Sequence, residues 1–182
     1  KMPNKSLPCA GYGAGRTQIS CYLTEVILQS GCHSKHSHHD RGGEPSVIVK
    51  MLSSVIVGID AHPVDVEVDT SPGLPQFATV GLPDTAVKES KDRIRAAVKN
   101  SGYRFPRHRV TVNLAPADIK KEGTGFDLPI ALGILAAEGV LSKDRPSDYM
   151  VIGELSLDGS IKEVPGAISA ALQAREMGLS GI

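Results

Sequence analysis

The residues with the clearest chemical potential form one short loop and the start of the segment behind it. Gly123, Thr124 and Gly125 run directly into an apolar stretch. Asp127 heads that stretch, and Pro129 follows it. This order predicts a tight loop that leads into a buried helix, with Asp127 as the N-cap. The candidate loop-site residues are Lys120, Lys121, Glu122, Gly123, Thr124, Gly125 and Asp127.

A glycine-rich loop at the start of a helix can serve two kinds of chemistry. Its free N–H groups and the helix dipole can bind an anion such as phosphate. Alternatively, they can stabilise an oxyanion beside a nucleophile in the loop. A third interpretation is structural: the glycines let the chain turn, Asp127 caps the helix, and Glu122 forms a surface ion pair. The loop taken alone leaves all three open.

Hydrophobic periodicity predicts the strands that surround this loop. Residues 54–59, 64–69 and 76–81 have strand patterns, which predicts an antiparallel opening sheet with a hairpin connection at 60–63. A fourth strand is predicted at 109–114.

Further elements are predicted on either side of the apolar run. Asp84 is a candidate N-cap for a helix that continues to about residue 100, with Gly102 placed to end it. After the apolar run, residues 149–155 and 161–164 flank an Asp-Gly turn signal, and a last helix is predicted at 166–177. The pattern as a whole predicts an α+β fold in which a β-sheet packs against helices.

Charge is unevenly distributed although the total is neutral. The chain holds 20 Lys and Arg against 20 Asp and Glu. Residues 88–109 carry eight basic residues against two acidic ones, whereas residues 51–87 carry no Lys or Arg. Such a patch can contact phosphate backbones or an acidic partner, or it can be an ordinary solvated face. The candidate nucleic-acid-binding residues are Lys88, Lys91, Arg95, Lys99, Arg104, Arg107 and Arg109.

Residues 1–50 differ from the remainder of the chain. They hold all three cysteines and four of the six histidines but only one short apolar stretch. We expect a disordered or non-native N-terminal extension, with the native start at Met51. The segment from Cys32 to His39 offers ligands that can capture zinc, nickel or copper adventitiously. It lacks a second ligand pair, so we expect no physiological metal site.

Several motifs occur in a fixed order between Met51 and Ile182, and together they resemble the N-terminal domain of bacterial magnesium-chelatase-like AAA+ ATPases of the YifB/ComM type. The resemblance implies a Lon-protease-like fold, similar to ribosomal protein domain 2 and to a domain of the recombination protein RadA. It also implies that the chain stops before the AAA+ module. The motifs include Gly58-Ile59-Asp60, Val80-Gly81-Leu82-Pro83-Asp84, Val112-Asn113-Leu114-Ala115-Pro116-Ala117-Asp118 and Phe126-Asp127-Leu128-Pro129-Ile130-Ala131.

The resemblance to Lon can be checked at the two positions of its serine–lysine dyad. The serine position corresponds to Gly125 and the lysine position to Ile168, neither of which can perform the reaction. Thr124 lies one residue from the serine position, and Lys162 lies six residues before the lysine position. We therefore expect no catalytic residue, and a Lon-type serine peptidase is a remote alternative.

The family resemblance implies a non-catalytic domain of a ring-forming ATPase that acts in DNA branch migration during natural transformation. ATP and magnesium would bind the AAA+ module of the same polypeptide, because no Gly-x4-Gly-Lys-Ser/Thr motif occurs in this chain. The alternative is a stand-alone DNA-binding module that uses residues 88–109. No apolar run is long enough to span a bilayer and no leader opens the chain, so we expect a cytoplasmic protein without a membrane partner.

Overall fold

The computed structural model describes residues 47–141 and 148–182 of the chain. The Cys32–His39 cluster and most of the predicted polar loop at 143–148 lie outside these residues. The elements, in chain order, are β1 (Val47–Val57), β2 (Asp60–Ser71), β3 (Gln76–Val80), α1 (Thr85–Asn100), β4 (Arg109–Ala115), α2 (Asp127–Ala137), β5 (Glu154–Leu155), β6 (Ile161–Lys162) and α3 (Ala167–Glu176).

Four strands form the main sheet, in the order β1-β2-β4-β3. The β1–β2 and β2–β4 pairs are antiparallel, as in the register of Val66 with Leu114. The prediction of an antiparallel opening sheet is wrong for β3, which pairs with β4 in parallel. The reason is that α1 connects β3 to β4 and returns the chain to the same end of the sheet, so the two strands run in the same direction.

The first hairpin is longer than the sequence pattern indicated. Its loop consists of Gly58 and Ile59, not residues 60–63, and Gly58 has a φ of 67°. Strand β1 begins at Val47, four residues before Met51, and buried Val49 pairs with Val68. The sheet therefore includes residues that composition assigned to the N-terminal extension, because the inward-facing alternation continues through them.

One face of the sheet carries the main core. Helix α2 packs on β1 and β2, and its side chains are buried along almost the whole length. The approach is close, since a Cβ added to Gly133 would lie 2.7 Å from Cγ2 of Val68. Helix α1 adds its stripe of Val87, Ile94 and Val98 to the same cluster, where β4 contributes inward-facing side chains. The two helices thus cover the same face of the sheet.

The C-terminal third extends the sheet and adds a small hairpin. Residues beside Met150 run parallel to β1, with the N–H of Val151 bonded to the carbonyl of Leu52 at 2.7 Å, and Gly181 pairs with Tyr149. The predicted hairpin is confirmed, although β5 and β6 are only two residues each. Helix α3 follows Gly166, close to the predicted start. This arrangement of sheet and helices is compatible with the predicted α+β class.

Candidate functional site in the central loop and on the basic face

One side of the central loop is anchored by Asp84. Its Oδ1 accepts a hydrogen bond from the N–H of Val87 at 2.8 Å, which confirms it as the N-cap of α1. Its Oδ2 accepts a second bond from the N–H of Gly123 at 3.1 Å. The backbone of Lys121 adds two more bonds, to Leu82 and Asp84. The same carboxylate therefore fixes the start of a helix and the path of the loop.

The two loop lysines have opposite environments. Lys120 is exposed and forms an ion pair with Glu122 at 2.7 Å, and this contact raises the pKa of Lys120. Lys121 has a fully buried side chain, and its Nζ donates to the carbonyl of Pro116. Burial lowers the pKa of Lys121. Because it is enclosed by protein, Lys121 does not present its charge to a ligand in solvent.

The other side of the loop is clamped to the β5–β6 hairpin. The hydroxyl of Thr124 donates to Oε2 of Glu154. The carbonyl of Gly125 accepts a bond from the N–H of Gly153 at 3.0 Å, and Gly153 in turn accepts one from Leu128 at 3.0 Å. The nearest atoms to a Cβ built on Gly125 belong to Val164, at 3.9 Å. A Cβ at Gly125 would thus make only ordinary van der Waals contact.

The start of α2 differs from the prediction. Phe126 occupies the N-cap position, and Asp127 is the first helical residue, so the predicted capping role of Asp127 is wrong. The N–H of Asp127 bonds to the carbonyl of Thr124, that of Ile130 to Phe126, and Pro129 has no N–H to offer. With Leu128 bonded to the hairpin, the first turn has no free amide. The residues at this helix start do not fit a nucleotide phosphate.

Asp127 instead takes part in a buried ion pair. Its side chain is 1 % exposed, and Nε of Arg93 lies 2.8 Å from its Oδ2. The carboxylate also accepts a bond from the N–H of Leu155 at 3.2 Å. Burial raises the pKa of Asp127, while Arg93 and the Leu155 N–H act in the opposite direction. Sequence reasoning missed this role of Arg93; the available signal was a carboxylate at the head of a run too apolar to face water.

Four of the basic candidates share one flank of α1. They recur at intervals of three or four residues, which places them in a line along the helix, and we call this line the basic stripe. The guanidinium of Arg95 lies 5.3 Å from the ring centroid of Phe105, which stacks on Phe77 of β3. The basic stripe consists of Lys88, Lys91, Arg95 and Lys99.

The remaining basic candidates, Arg104, Arg107 and Arg109, are exposed in the segment that leads into β4. Among residues 47–141 and 148–182, none of the seven basic candidates forms an ion pair. The structure therefore gives the two groups of candidates different environments. The loop candidates are held by neighbouring side chains and backbone, whereas the basic candidates remain available to a partner.

No group of three His, Cys, Asp or Glu among the described residues is arranged to hold a metal ion. No helix within them is both long and apolar enough to cross a membrane.

Comparison with known proteins gives the family. Residues 66–182 match the family described as subunit ChlI of Mg-chelatase. The chain belongs to the magnesium-chelatase ChlI family. Within this family it is of the YifB/ComM type, because the uncharacterized protein YifB of Escherichia coli K12 is 50% identical over 122 residues. That alignment covers 67% of this chain and 24% of YifB.

Other relatives of this ChlI-family chain agree. The competence protein ComM of Haemophilus influenzae is 46% identical over 126 residues, which cover 69% of this chain and 25% of ComM. An uncharacterized protein of Mycobacterium bovis is 40% identical over 129 residues, covering 71% of this chain and 26% of its own length. The chain thus spans about a quarter of the length of the curated relatives that it matches.

Proposed function

We propose that this chain acts as a non-catalytic, Lon-like domain of a larger AAA+ ATPase. The observation that carries the proposal is the bonding of the central loop. The Thr124 hydroxyl is held by Glu154, and the Lys121 ammonium is buried against Pro116. At the two positions that correspond to the Lon dyad, Gly125 has no side chain, and Ile168 is 80% exposed and cannot accept a proton.

The larger machine is proposed from the relatives. ComM of Haemophilus influenzae is a competence protein, and this chain matches about a quarter of it. We infer a cytoplasmic, ring-forming ATPase of the type that acts in DNA branch migration during natural transformation. ATP and magnesium would bind the AAA+ module elsewhere in the polypeptide. The domain described here would contribute assembly or substrate contacts.

A chimera tests this role. The matching segment of ComM is replaced by this chain in Haemophilus influenzae, and the frequency of natural transformation is measured. We expect a frequency close to that of the unmodified strain, with ATP hydrolysis by the chimera retained. A frequency as low as that of a strain without ComM, for a chimera that is expressed and hydrolyses ATP, would argue against the proposal.

The non-catalytic part has a separate test. The full 182-residue chain is incubated with a fluorescent casein substrate beside a Thr124→Val variant, which removes the hydroxyl in the loop. We expect no cleavage above background by either protein. Cleavage that the Thr124→Val substitution abolishes would establish a threonine nucleophile and overturn the non-catalytic assignment.

The basic stripe favours a second candidate function, direct binding of nucleic acid. Its four side chains form no ion pair among the described residues and lie in a line along α1, where they can contact phosphates. The test is fluorescence-anisotropy binding of single-stranded, duplex and four-way-junction DNA at two salt concentrations. Changing Lys91, Arg95 and Lys99 to glutamate should abolish the binding. The matched control reverses the charges of Lys162 and Arg175, which lie outside the stripe.

A further inference from the structure

Strand β3 is an edge of the main sheet. In the part of the chain that the structure describes, β3 pairs with β4 alone. Alternate residues of a strand direct their N–H and C=O groups to opposite edges, so part of the β3 backbone faces outward without a strand partner. Proteins usually protect such edges with charged side chains, proline or a bulge. The segment Gln76–Val80 contains no charged residue and no proline.

The basic stripe lies on the side of this edge. Arg93 and Arg95 are two residues apart, which is a rotation of about 200° around a helix. Arg93 reaches Asp127 of α2, which packs over β1 and β2, so the opposite flank of α1 faces β3. The contact of Arg95 with Phe105, which stacks on Phe77, confirms this direction. The stripe therefore lies on the β3 side of α1, on the face of the sheet that α1 and α2 cover.

The other face of the same edge presents Ala78 and Val80, with exposed Gln76 at its start. Val80 is 47% exposed and belongs to the set of β3 residues that points away from α1 and α2. Leu74 and Leu82, which flank β3 at its two ends, are also exposed. Exposed aliphatic side chains along an edge with free backbone groups are typical of a surface that receives a partner.

We propose that β3 binds an acidic, extended segment of a partner protein by strand addition. Backbone pairing to β3 would hold the segment, and successive side chains of the added strand would point to opposite faces. Those on the face covered by α1 and α2 would lie on the side of the basic stripe. The positive charge of the stripe would favour acidic residues there. Those on the other face would meet Ala78 and Val80. The partner segment should therefore alternate acidic and apolar residues.

The open edge distinguishes this occupant from nucleic acid. DNA can contact the basic stripe through its phosphates, but it has no peptide groups that could pair with β3. A second copy of this chain could pair through its own β3, although two basic stripes would then approach each other and repel. The inference goes beyond the proposed function and does not depend on it, because a strand-binding edge is possible in a domain of any larger assembly.

The test uses the full 182-residue chain and a fluorescent peptide of about eight residues that alternates glutamate and valine. We expect saturable binding at low salt, weakened about tenfold or more by reversing Lys88 and Lys99 to glutamate. These two lysines are exposed and form no ion pair among the described residues, so the fold should be retained. The matched control is Lys162→Glu with Arg175→Glu, which should bind as well as the unmodified chain.

A second measurement separates strand addition from simple charge attraction. A peptide methylated on its pairing N–H groups keeps its charge but loses the ladder, and it should not bind. Amide exchange over residues 74–82 should slow when the unmethylated peptide is added. Equal binding of both peptides, or unchanged exchange in β3, would overturn the proposal. A dimer in sedimentation whose β3 amides are already protected from exchange would also overturn it. Binding of duplex DNA by a chain that does not bind the peptide would do the same.

Discussion

Arg93 binds both carboxylate oxygens of Asp127, with Nε 2.8 Å from Oδ2 and Nη2 3.1 Å from Oδ1. The contact joins the middle of α1 to the first residue of α2. The same carboxylate accepts a bond from the N–H of Leu155, so the β5–β6 hairpin is tied to it as well. The guanidinium also donates to the carbonyl of Ala86 within its own helix. A single ion pair therefore fixes three elements around the central loop.

Removing the Arg93 guanidinium should leave the buried Asp127 carboxylate without its counter-charge. Loss of one partner of a buried pair costs about 3–5 kcal/mol, and we expect the lower end for Arg93→Ala because the Arg93 side chain is 24% exposed. Urea unfolding monitored by circular dichroism would measure this loss of unfolding free energy. The control is Lys99→Ala, an exposed change on the same helix that should cost at most about 0.5 kcal/mol. Equal losses in the two variants would contradict the structural role of the pair.

Buried Lys121 makes a prediction about pH. Burial lowers its pKa below the ordinary value of 10.5, so the unfolded chain holds more protons between the folded value and 10.5. Stability due to this group therefore rises with pH across that window. Lys121→Met removes this dependence of stability on pH. Because the variant no longer buries a charged ammonium, it should be more stable than the unmodified chain at neutral pH. Its advantage in unfolding free energy should shrink as the pH approaches 10.5, and an advantage that stays constant would count against a charged, buried Lys121.

The features predicted correctly from the sequence are those that depend on near neighbours in the chain. Asp84 caps α1 through Val87, three residues away, and Gly102 follows the helix with a φ of 87°. The turn at Gly159 was likewise predictable from the dipeptide Asp158-Gly159 alone. Each of these depends on local backbone chemistry, which a short stretch of sequence contains.

The features missed depend on contacts between distant segments. Arg93 and Asp127 are 34 residues apart, and although helical spacing places Arg93 off the line of the basic stripe, no local pattern identifies Asp127 as its partner. The parallel pairing of β3 depends on where α1 returns the chain, which strand periodicity does not encode. The start of β1 was missed because composition assigned residues 47–50 to the N-terminal extension, although Val49 and Met51 continue the inward alternation.

Two glycines in left-handed backbone allow a matched test of close packing. Gly81 has a φ of 94°, and a Cβ added there would lie 2.1 Å from the carbonyl oxygen of Leu114. Gly123 has a φ of 87° with nothing within 4 Å of the added Cβ. Gly123→Ala should cost about 1 kcal/mol from backbone strain alone. Gly81→Ala should cost about 4 kcal/mol or more, because backbone of β4 must move. Similar losses would mean that the two chain segments are not in close contact.

The basic stripe makes a prediction for DNA that differs from the one for an acidic peptide. If each of its four side chains neutralises one phosphate of a duplex, log affinity against log salt should have a slope of about −3.6. Lys99→Ala should then reduce the magnitude of the slope by about 1, equally for any duplex sequence, because phosphates carry no base information. Lys162→Ala should leave the slope unchanged. Anisotropy titrations at several salt concentrations measure the slope for each variant. A slope that Lys99→Ala leaves unchanged would place any DNA contact outside the stripe.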